Sequence, residues 1–390
     1  MLVGTTVRRV AIVGGVRIPF ARAHTAYATV GNQEMLTAVF RAVVERFDLT
    51  GVRLGDVAAG AVIKHSRDYN LTRECVLSCG LDPQTAGLDL QRACGRSLEA
   101  AILIANKIAL GQRLAPWLGL RPRHFRPVLP AVVEPRTGLS MGQSAELMAQ
   151  RWGIRREEQD RLACDSHMHA AAAWREGFYD DLVVPFLGLR TDNNVRADTS
   201  LEKLSRLRAS FDPRDGTLTA GNSTPLTDGA SAVVLASEEW AARRKLPVLA
   251  WLRYGKVWAV DFASGKEGLL MAPAYAVPAM LRDAGLTLQS FDYYEIHEAF
   301  AAQVLCTLAA WQSPQFCREA LGLEEPLGTI DRARLNVKGG SVAIGHPFAA
   351  TGTRIVATLA KLLAGDGGTR RGLISVCTAG GMGVTAVLER

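Results

Sequence analysis

Two cysteines and two histidines, each among glycines and alanines, are the residues of this chain best suited to do chemistry. They lie in Gln91-Arg92-Ala93-Cys94-Gly95, Glu295-Ile296-His297-Glu298-Ala299-Phe300, Gly345-His346-Pro347 and Val376-Cys377-Thr378-Ala379-Gly380-Gly381. A thiol becomes a nucleophile when a base or a positive environment favours its thiolate. A second thiol can carry a proton at another stage of a reaction. Small neighbours let a substrate carbonyl approach backbone N–H groups. Together these residues are an inventory for acyl transfer through a cysteine thioester.

Taken singly, each has a blander reading. A free cysteine is most often a buried packing thiol, and that reading is favoured for Cys377 alone. Cys94 gains from its place at a strand-to-helix junction, where free N–H groups and the helix dipole stabilise a thiolate or an oxyanion. Pro347 favours an extended His346, whose rigid imidazole suits a general base or an oxyanion donor. His297 ends a strand, where α/β sheets place ligands, and Glu298 reads as a helix-start carboxylate. Cys75, Cys79, Cys164, Cys306 and Cys317 read as packing residues. Cys75 and Cys79 lie one helical turn apart with no second ligand pair, so zinc is not expected. His167 and His169 do not share a helix face, and no nucleotide phosphate loop is present.

These residues need a scaffold, and the apolar patterning supplies one. Strands are expected at Arg9–Gly14, Val57–Ile63 and Ala86–Gln91, with helices at Gln33–Phe47, at Leu71–Cys79 and after Cys94. The order recurs later. Strands are expected at Leu249–Tyr254, Tyr293–Ile296, Arg371–Cys377 and Gly383–Glu389, and helices at Ala274–Ala284, Ala299–Ala310 and Ala350–Leu363, the last reached from Leu335–Val337 through Gly339-Gly340 and His346-Pro347. Alternating strands and helices imply a parallel sheet covered on both faces. Cys94 and His346 fall at matching places in the two halves, each before a helix. The stretch from Arg113 to Gly221 breaks the pattern and reads as an insertion, after which Ala230–Ala236 returns as a strand.

Composition sets the outer limits. The 390 residues carry a formal net charge of +7, too mild to mark nucleic-acid binding. Arg113, Arg121, Arg123, His124 and Arg126 crowd one segment with Trp117 and Phe125. That segment suits a solvated loop, a lipid or acyl chain, a partner subunit or the phosphates of coenzyme A. Seven cysteines without regular spacing argue against a disulfide scaffold. No apolar run spans a bilayer, no secretory signal is expected, and a cytoplasmic location follows as the expectation.

Read together, the motifs resemble the thiolase family, and 3-ketoacyl-CoA thiolases in particular. The resemblance rests on Ala93-Cys94, Thr219-Ala220-Gly221-Asn222-Ser223-Thr224-Pro225-Leu226-Thr227-Asp228-Gly229-Ala230, His297-Glu298-Ala299-Phe300, Asn336-Val337-Lys338-Gly339-Gly340, Gly345-His346-Pro347 and Cys377-Thr378-Ala379-Gly380-Gly381. The His-Glu-Ala-Phe form resembles the β (thiolase) subunits of trifunctional fatty-acid oxidation complexes.

The resemblance implies a duplicated fold, two βαβαβαββ halves packed as layered α/β/α/β/α. It places the first half at 1–112 and 222–246, a loop domain at 113–221 and the second half at 247–390. It also implies roles. Cys94 is the acylated nucleophile, His346 activates it, and Cys377 is the acid/base for the leaving enolate and incoming coenzyme A. His297 helps hold the enolate-like oxygen, the N–H groups of Cys94 and Ala379 form a second oxyanion hole, and Met141 lines the acyl pocket. No metal or cofactor is implied, coenzyme A being a substrate. A homodimer or larger assembly is implied, with a hydratase/dehydrogenase α subunit as a partner to test and membrane-surface contact to consider.

Two features depart from the family. Family members carry a further strand after the helix that follows the nucleophile. Here Gln112 passes directly to Arg113, and the second half has Arg371–Cys377 where the first has no counterpart. The other departure is Arg96, standing where small residues are usual; a buried arginine there needs a partner. The leading reading is thiolytic cleavage of 3-ketoacyl-CoA. The alternatives are biosynthetic formation of acetoacetyl-CoA and a catalytically inactive acyl-CoA-binding or scaffold protein.

Overall fold

The computed structural model describes residues 7–62, 70–110, 133–365, 367 and 370–390. The first half begins with β1 (Val10–Arg17), β2 (Ala21–Arg22), α1 (Asn32–Arg46), β3 (Val57–Ala59), α2 (Leu71–Ser78) and β4 (Gly87–Asp89). A 3-10 turn, Ala93–Gly95, leads into α3 (Arg96–Leu110). The insertion contributes α4 (Met141–Arg151), α5 (Arg156–Arg175) and α6 (Leu201–Ser205), and the chain returns through β5 (Thr227–Asp228), β6 (Ser231–Ser237) and α7 (Glu238–Arg243). The second half comprises β7 (Ala250–Ala259), α8 (Ala272–Ala284), β8 (Tyr293–Ile296), α9 (Ala301–Gln312), α10 (Pro314–Leu321), α11 (Ser341–Ile344), α12 (Thr351–Gly365), β9 (Arg371–Thr378) and β10 (Met382–Glu389).

Local chemistry sets many of these boundaries. Ser140 caps α4 by accepting from Gln143 N–H at 3.2 Å, and the Gln143 side chain accepts from Ser140 N–H at 2.9 Å, a reciprocal box that satisfies two helix-end donors. Gly285, at φ 65°, ends α8 in the left-handed region open to glycine. One expected strand is cut short. Val57–Ile63 stops at Ala59, because Gly60 takes φ 149°; Ile63 lies outside the described residues. Leu335–Val337 forms only a single parallel bridge, Leu335 to Tyr294, because Asn336 turns the chain at φ 48°.

One six-stranded sheet runs in the order β6-β1-β7-β10-β9-β8, with β3 and β4 as a separate parallel pair. β1 is antiparallel to β6 and β7, β10 is antiparallel to β7 and β9, and β8 is parallel to β9. The period of two decides the layers. Ile12, Ile374, Val376 and Val384 pack inward with Leu98 of α3 and Ile355, Val356 and Leu359 of α12. Ala11 and Val13 point the other way, onto Phe40 and Val43 of α1. Leu373 and Val387 meet Val277 of α8 and Val304 of α9. The curled sheet therefore wraps a central helix pair and carries helices on its outer faces, the layered arrangement expected.

The two central helices meet where their N-termini must sit close together. A Cβ on Gly352 would lie 2.4 Å from the Leu98 nitrogen, so only glycine fits this crossing. Thr353 N–H donates to Ser97 Oγ at 3.0 Å across it. The junction at Gln112–Arg113 and the basic segment after it lie outside the described residues. On the described side, β6 ends the large sheet and β3 pairs only with β4.

Candidate active site

Four chain ends converge at the carboxyl edge of the second-half strands. His297 follows β8, Cys377 ends β9, Cys94 sits in the turn before α3, and His346 lies between α11 and α12. His297 N–H donates to Ser375 O at 2.8 Å, which continues the β8–β9 ladder by one residue and fixes where the imidazole leaves the sheet. His346 N–H donates to Thr227 Oγ1 at 2.7 Å. Gly345, at φ 106°, lies so close to Thr227 that a Cβ would sit 2.7 Å from its methyl. The run Thr219–Ala230, legible as a motif, thus acts here by pinning the His346 loop.

The imidazoles of His297 and His346 lie 4.1 Å apart between centroids, and both residues are buried. His297 Nδ1 is 2.9 Å from Ser341 Oγ, and that oxygen accepts from Arg354 Nη2 at 3.0 Å. With the guanidinium donating, the Ser341 hydroxyl is free to donate to Nδ1, which leaves the proton of His297 on Nε2. His346 Nδ1 is 2.6 Å from Thr351 Oγ1, whose hydroxyl also lies 3.2 Å from Pro347 O. When that hydroxyl donates to Pro347 O, Nδ1–H of His346 donates to Thr351 and Nε2 is bare. Both Nε2 atoms lack a partner among the described residues. With those hydroxyl orientations His297 Nε2–H is a donor and the neighbouring His346 Nε2 a base.

Burial also sets the charges. It lowers His346 to about 3, with Arg354 adding to the effect, and holds His297 well below the usual histidine range, with His346 and Arg354 adding there. Both rings are neutral near pH 7. Burial raises the Cys94 thiol to about 11, opposed by a hydrogen bond from Ala379 N–H and by the charge of Arg96. Cys377 is pushed higher still, by burial and then by the nearby Cys94; its thiol donates to Gln303 Oε1 at 3.4 Å. The resting site is thus two thiols and two neutral imidazoles.

The remaining expected residues fall into place unequally. Ala379 N–H points at the Cys94 sulfur. Met141 is half-buried at the start of α4 and packs on an apolar cluster that includes Cys377, Phe300 and Met148. Glu298 is not a helix-start carboxylate: α9 begins at Ala301, three residues on. The Glu298 carboxylate accepts from Ser166 Oγ at 2.7 Å, Asn336 Nδ2 at 2.5 Å and Val342 N–H at 3.2 Å, and so ties α5 and α11 to the turn at Asn336. Gly340 is required beneath it, because a Cβ there would overlap the carboxylate at 2.0 Å. His167 accepts from Arg196 N–H at 3.2 Å and His169 meets Asn336 O at 3.1 Å; among the described residues no metal-binding group of His, Cys, Asp and Glu forms.

Ser341, Thr351, Arg354, Gln303 and Thr227 were not legible as site residues. Their types are ordinary, and only the convergence of α11, α12, α9 and the β5 loop brings them to the imidazoles and Cys377. Arg96 is 1% exposed, and its three guanidinium nitrogens find no hydrogen-bond partner among the described residues. Burial lowers it to about 10, against the pull of Asp89 and Cys94.

Residues 10–115 and 127–239 match the family model "Thiolase, N-terminal domain", and residues 250–390 match "Thiolase, C-terminal domain". The chain belongs to the thiolase family. It is 40% identical over 426 residues to a protein named 3-ketoacyl-CoA thiolase from Pectobacterium carotovorum subsp. carotovorum (strain PC1), covering 98% of this chain and 96% of that one. The protein of the same name from Yersinia pestis (strain Pestoides F) is 37% identical over 426 residues, covering 98% and 97%. Among solved structures, the Bacillus anthracis acetyl-CoA acetyltransferase superposes with a TM-score of 0.83 at 29% identity, covering 99% of this thiolase and all of that chain. Human mitochondrial 3-ketoacyl-CoA thiolase superposes at 0.82 with 27% identity, covering 99% of each. In the Pectobacterium alignment, 98% of 390 residues is about 382, so 426 positions leave about 44 with no residue of this thiolase opposite.

Proposed function

We propose that this thiolase cleaves 3-ketoacyl-CoA with coenzyme A, giving acetyl-CoA and a shortened acyl-CoA in fatty-acid β-oxidation. The observation that carries the reading is the convergence of two thiols with two neutral imidazoles whose Nε2 atoms are unpartnered. His346 Nε2 takes the proton of Cys94 as its sulfur attacks the ketone carbon. The bond between the ketone carbon and its α carbon breaks, and the acetyl-CoA enolate leaves with the electron pair. Cys377 gives its proton to that carbon. Its thiolate then takes the proton of coenzyme A, whose sulfur attacks the acyl-Cys94 thioester. The displaced Cys94 sulfur recovers its proton from His346, which closes the cycle.

His297 Nε2–H suits the enolate-like oxygen, and the N–H groups of Cys94 and Ala379 suit the thioester oxyanion. Removing one such donor typically costs about 10²–10³ in rate. The apolar cluster holding Met141 supplies an acyl-facing wall. The names of the relatives support the cleavage direction. Under the same reading the halves are 1–112 with 222–246, and 247–390, flanking a loop domain at 113–221. The protein is cytoplasmic and at least dimeric, with a hydratase/dehydrogenase α subunit as candidate partner. Among the described residues no helix is long and apolar enough to cross a membrane. The test is a thiolysis assay with 3-ketoacyl-CoA of graded chain length, following loss of the ketoacyl enolate absorbance on addition of coenzyme A and acetyl-CoA by mass. Absence of acetyl-CoA at every chain length overturns the proposal.

A further inference from the structure

One cavity among the described residues lies away from the cysteines. It is partly open and offers about 870 Å³ between the outer edge of β6 and the outer edge of β3. The walls are helices: α3 on one side through Ala100, Ala101 and Ile104, and α1 on the other through Leu36, Phe40 and Val43. α3 packs on both β6 and β3, so the two strands lie in one layer with a space between them. Neither edge has a ladder partner in that space among the described residues.

The surroundings of the space are those of a strand: a strand edge on each side with no ladder partner among the described residues, and a helix on each face. The second half shows what belongs there. Directly after α12, β9 runs between β10 and β8, antiparallel to the first and parallel to the second. The corresponding place after α3 lies between β6 and β3. The consequence is visible in burial: Gly383–Leu388 of β10 are buried throughout, whereas Ser231–Leu235 of β6 are only half-buried. The relatives' roughly 44 additional aligned positions exceed what one strand needs.

One end of the slot is marked. β3 runs toward Gly60, where a Cβ would lie 3.4 Å from Arg96 Nη1. The buried, unpartnered Arg96 guanidinium lines the slot at that end. A strand parallel to β3 would arrive there with its carboxyl end.

We propose that the slot between β6 and β3 is an acceptor for an extended apolar peptide strand, bound parallel to β3 with its C-terminal carboxylate on Arg96. Main-chain hydrogen bonds to two edges supply affinity that is largely independent of sequence, and alternate apolar side chains enter the α1 and α3 walls. The inference does not depend on the catalytic reading.

The probe is a synthetic peptide carrying the β9 residues Gly372–Val376, Gly-Leu-Ile-Ser-Val, with two N-terminal lysines, a fluorophore and a free carboxylate. It is titrated into the full chain by fluorescence anisotropy, with hydrogen exchange read by mass spectrometry. The expected result is saturable binding with new protection in both 57–59 and 231–237. N-methylation of the Leu and Ser amides should weaken binding at least tenfold, as should C-terminal amidation. In Arg96→Met the acid and amide should bind alike; if that variant fails to fold, the acid-against-amide comparison in the native chain decides the same point. Absence of saturable binding overturns the proposal, as does equal binding of the N-methylated peptide. Binding of dodecanoate that displaces the peptide without protecting either strand would make the slot a fatty-acid site instead and also overturns it.

Discussion

His297 and His346 reach each other from different elements of the second half, one following β8 and one preceding α12, with ring centroids 4.1 Å apart and planes inclined by 46°. Each Nδ1 is tied to a different hydroxyl, Ser341 or Thr351. Two adjacent imidazoles would repel if both were protonated; burial keeps them neutral, and the hydroxyls let them take opposite tautomers. The acyl-transfer reading rests on that asymmetry, and its consequences can be measured.

Cys94 should alkylate slowly at neutral pH and faster as pH rises. Burial lifts its thiol to about 11, so the thiolate fraction grows through the alkaline range. Iodoacetamide rates against pH, with peptide mapping, should show no plateau below pH 9, and coenzyme A esters should protect Cys94. A plateau at or below pH 7 would mean a resting ion pair with His346.

Cys377→Ala should lose turnover by about 10²–10⁴, the usual contribution of a positioned proton carrier, while Cys94 still becomes acylated by an acyl-CoA donor. Intact mass after incubation should show the acyl adduct accumulating. Turnover at the native rate would remove Cys377 from the mechanism.

His297→Ala should lower kcat by about 10²–10³, the effect of deleting one oxyanion donor, with little change in Cys94 alkylation. Ser341→Ala should act in the same direction and more weakly, since it orients His297 without touching substrate. If Ser341→Ala alters alkylation of Cys94 but not kcat, the tautomer assignment is wrong.

Acid should destabilise the fold through these rings. The folded pKa of His346 is about 3, against about 6.5 in an unfolded chain. The unfolded state therefore binds more protons between these values. Stability is complete above about pH 6.5 and is lost as pH falls toward 3. Thermal melts from pH 7.5 down to 4 should show Tm falling, and a His297→Asn, His346→Asn double variant should flatten that fall. An unchanged slope would place the acid sensitivity elsewhere.

Gly352→Val should destabilise by about 1–3 kcal/mol, the usual cost of overpacking, because its side chain would drive into Leu98 at the α3–α12 crossing. Denaturant midpoints of the native and variant chains test this. A midpoint equal to native would show that the crossing can open.

The amino-acid sequence by itself determined the alternation of strands and helices, the placing of Cys94 and His346 before matching helices, and the four short motifs. Those follow from local causes: apolar periodicity, glycines that allow left-handed backbone, and proline beside His346. The sequence also pointed to a strand wanting after α3, through the unequal order of elements in the two halves. Glu298 was misread because a carboxylate near a helix start has an ordinary local explanation. Its three partners, Ser166, Asn336 and Val342, come from two segments distant in sequence. The tertiary structure alone decided what the imidazoles bond to, since Ser341 and Thr351 meet them only when α11 and α12 pack beside β8. It alone located the slot at β6 and β3, because a strand edge without a partner among the described residues is a property of the assembled sheet and is not carried by any one of its strands.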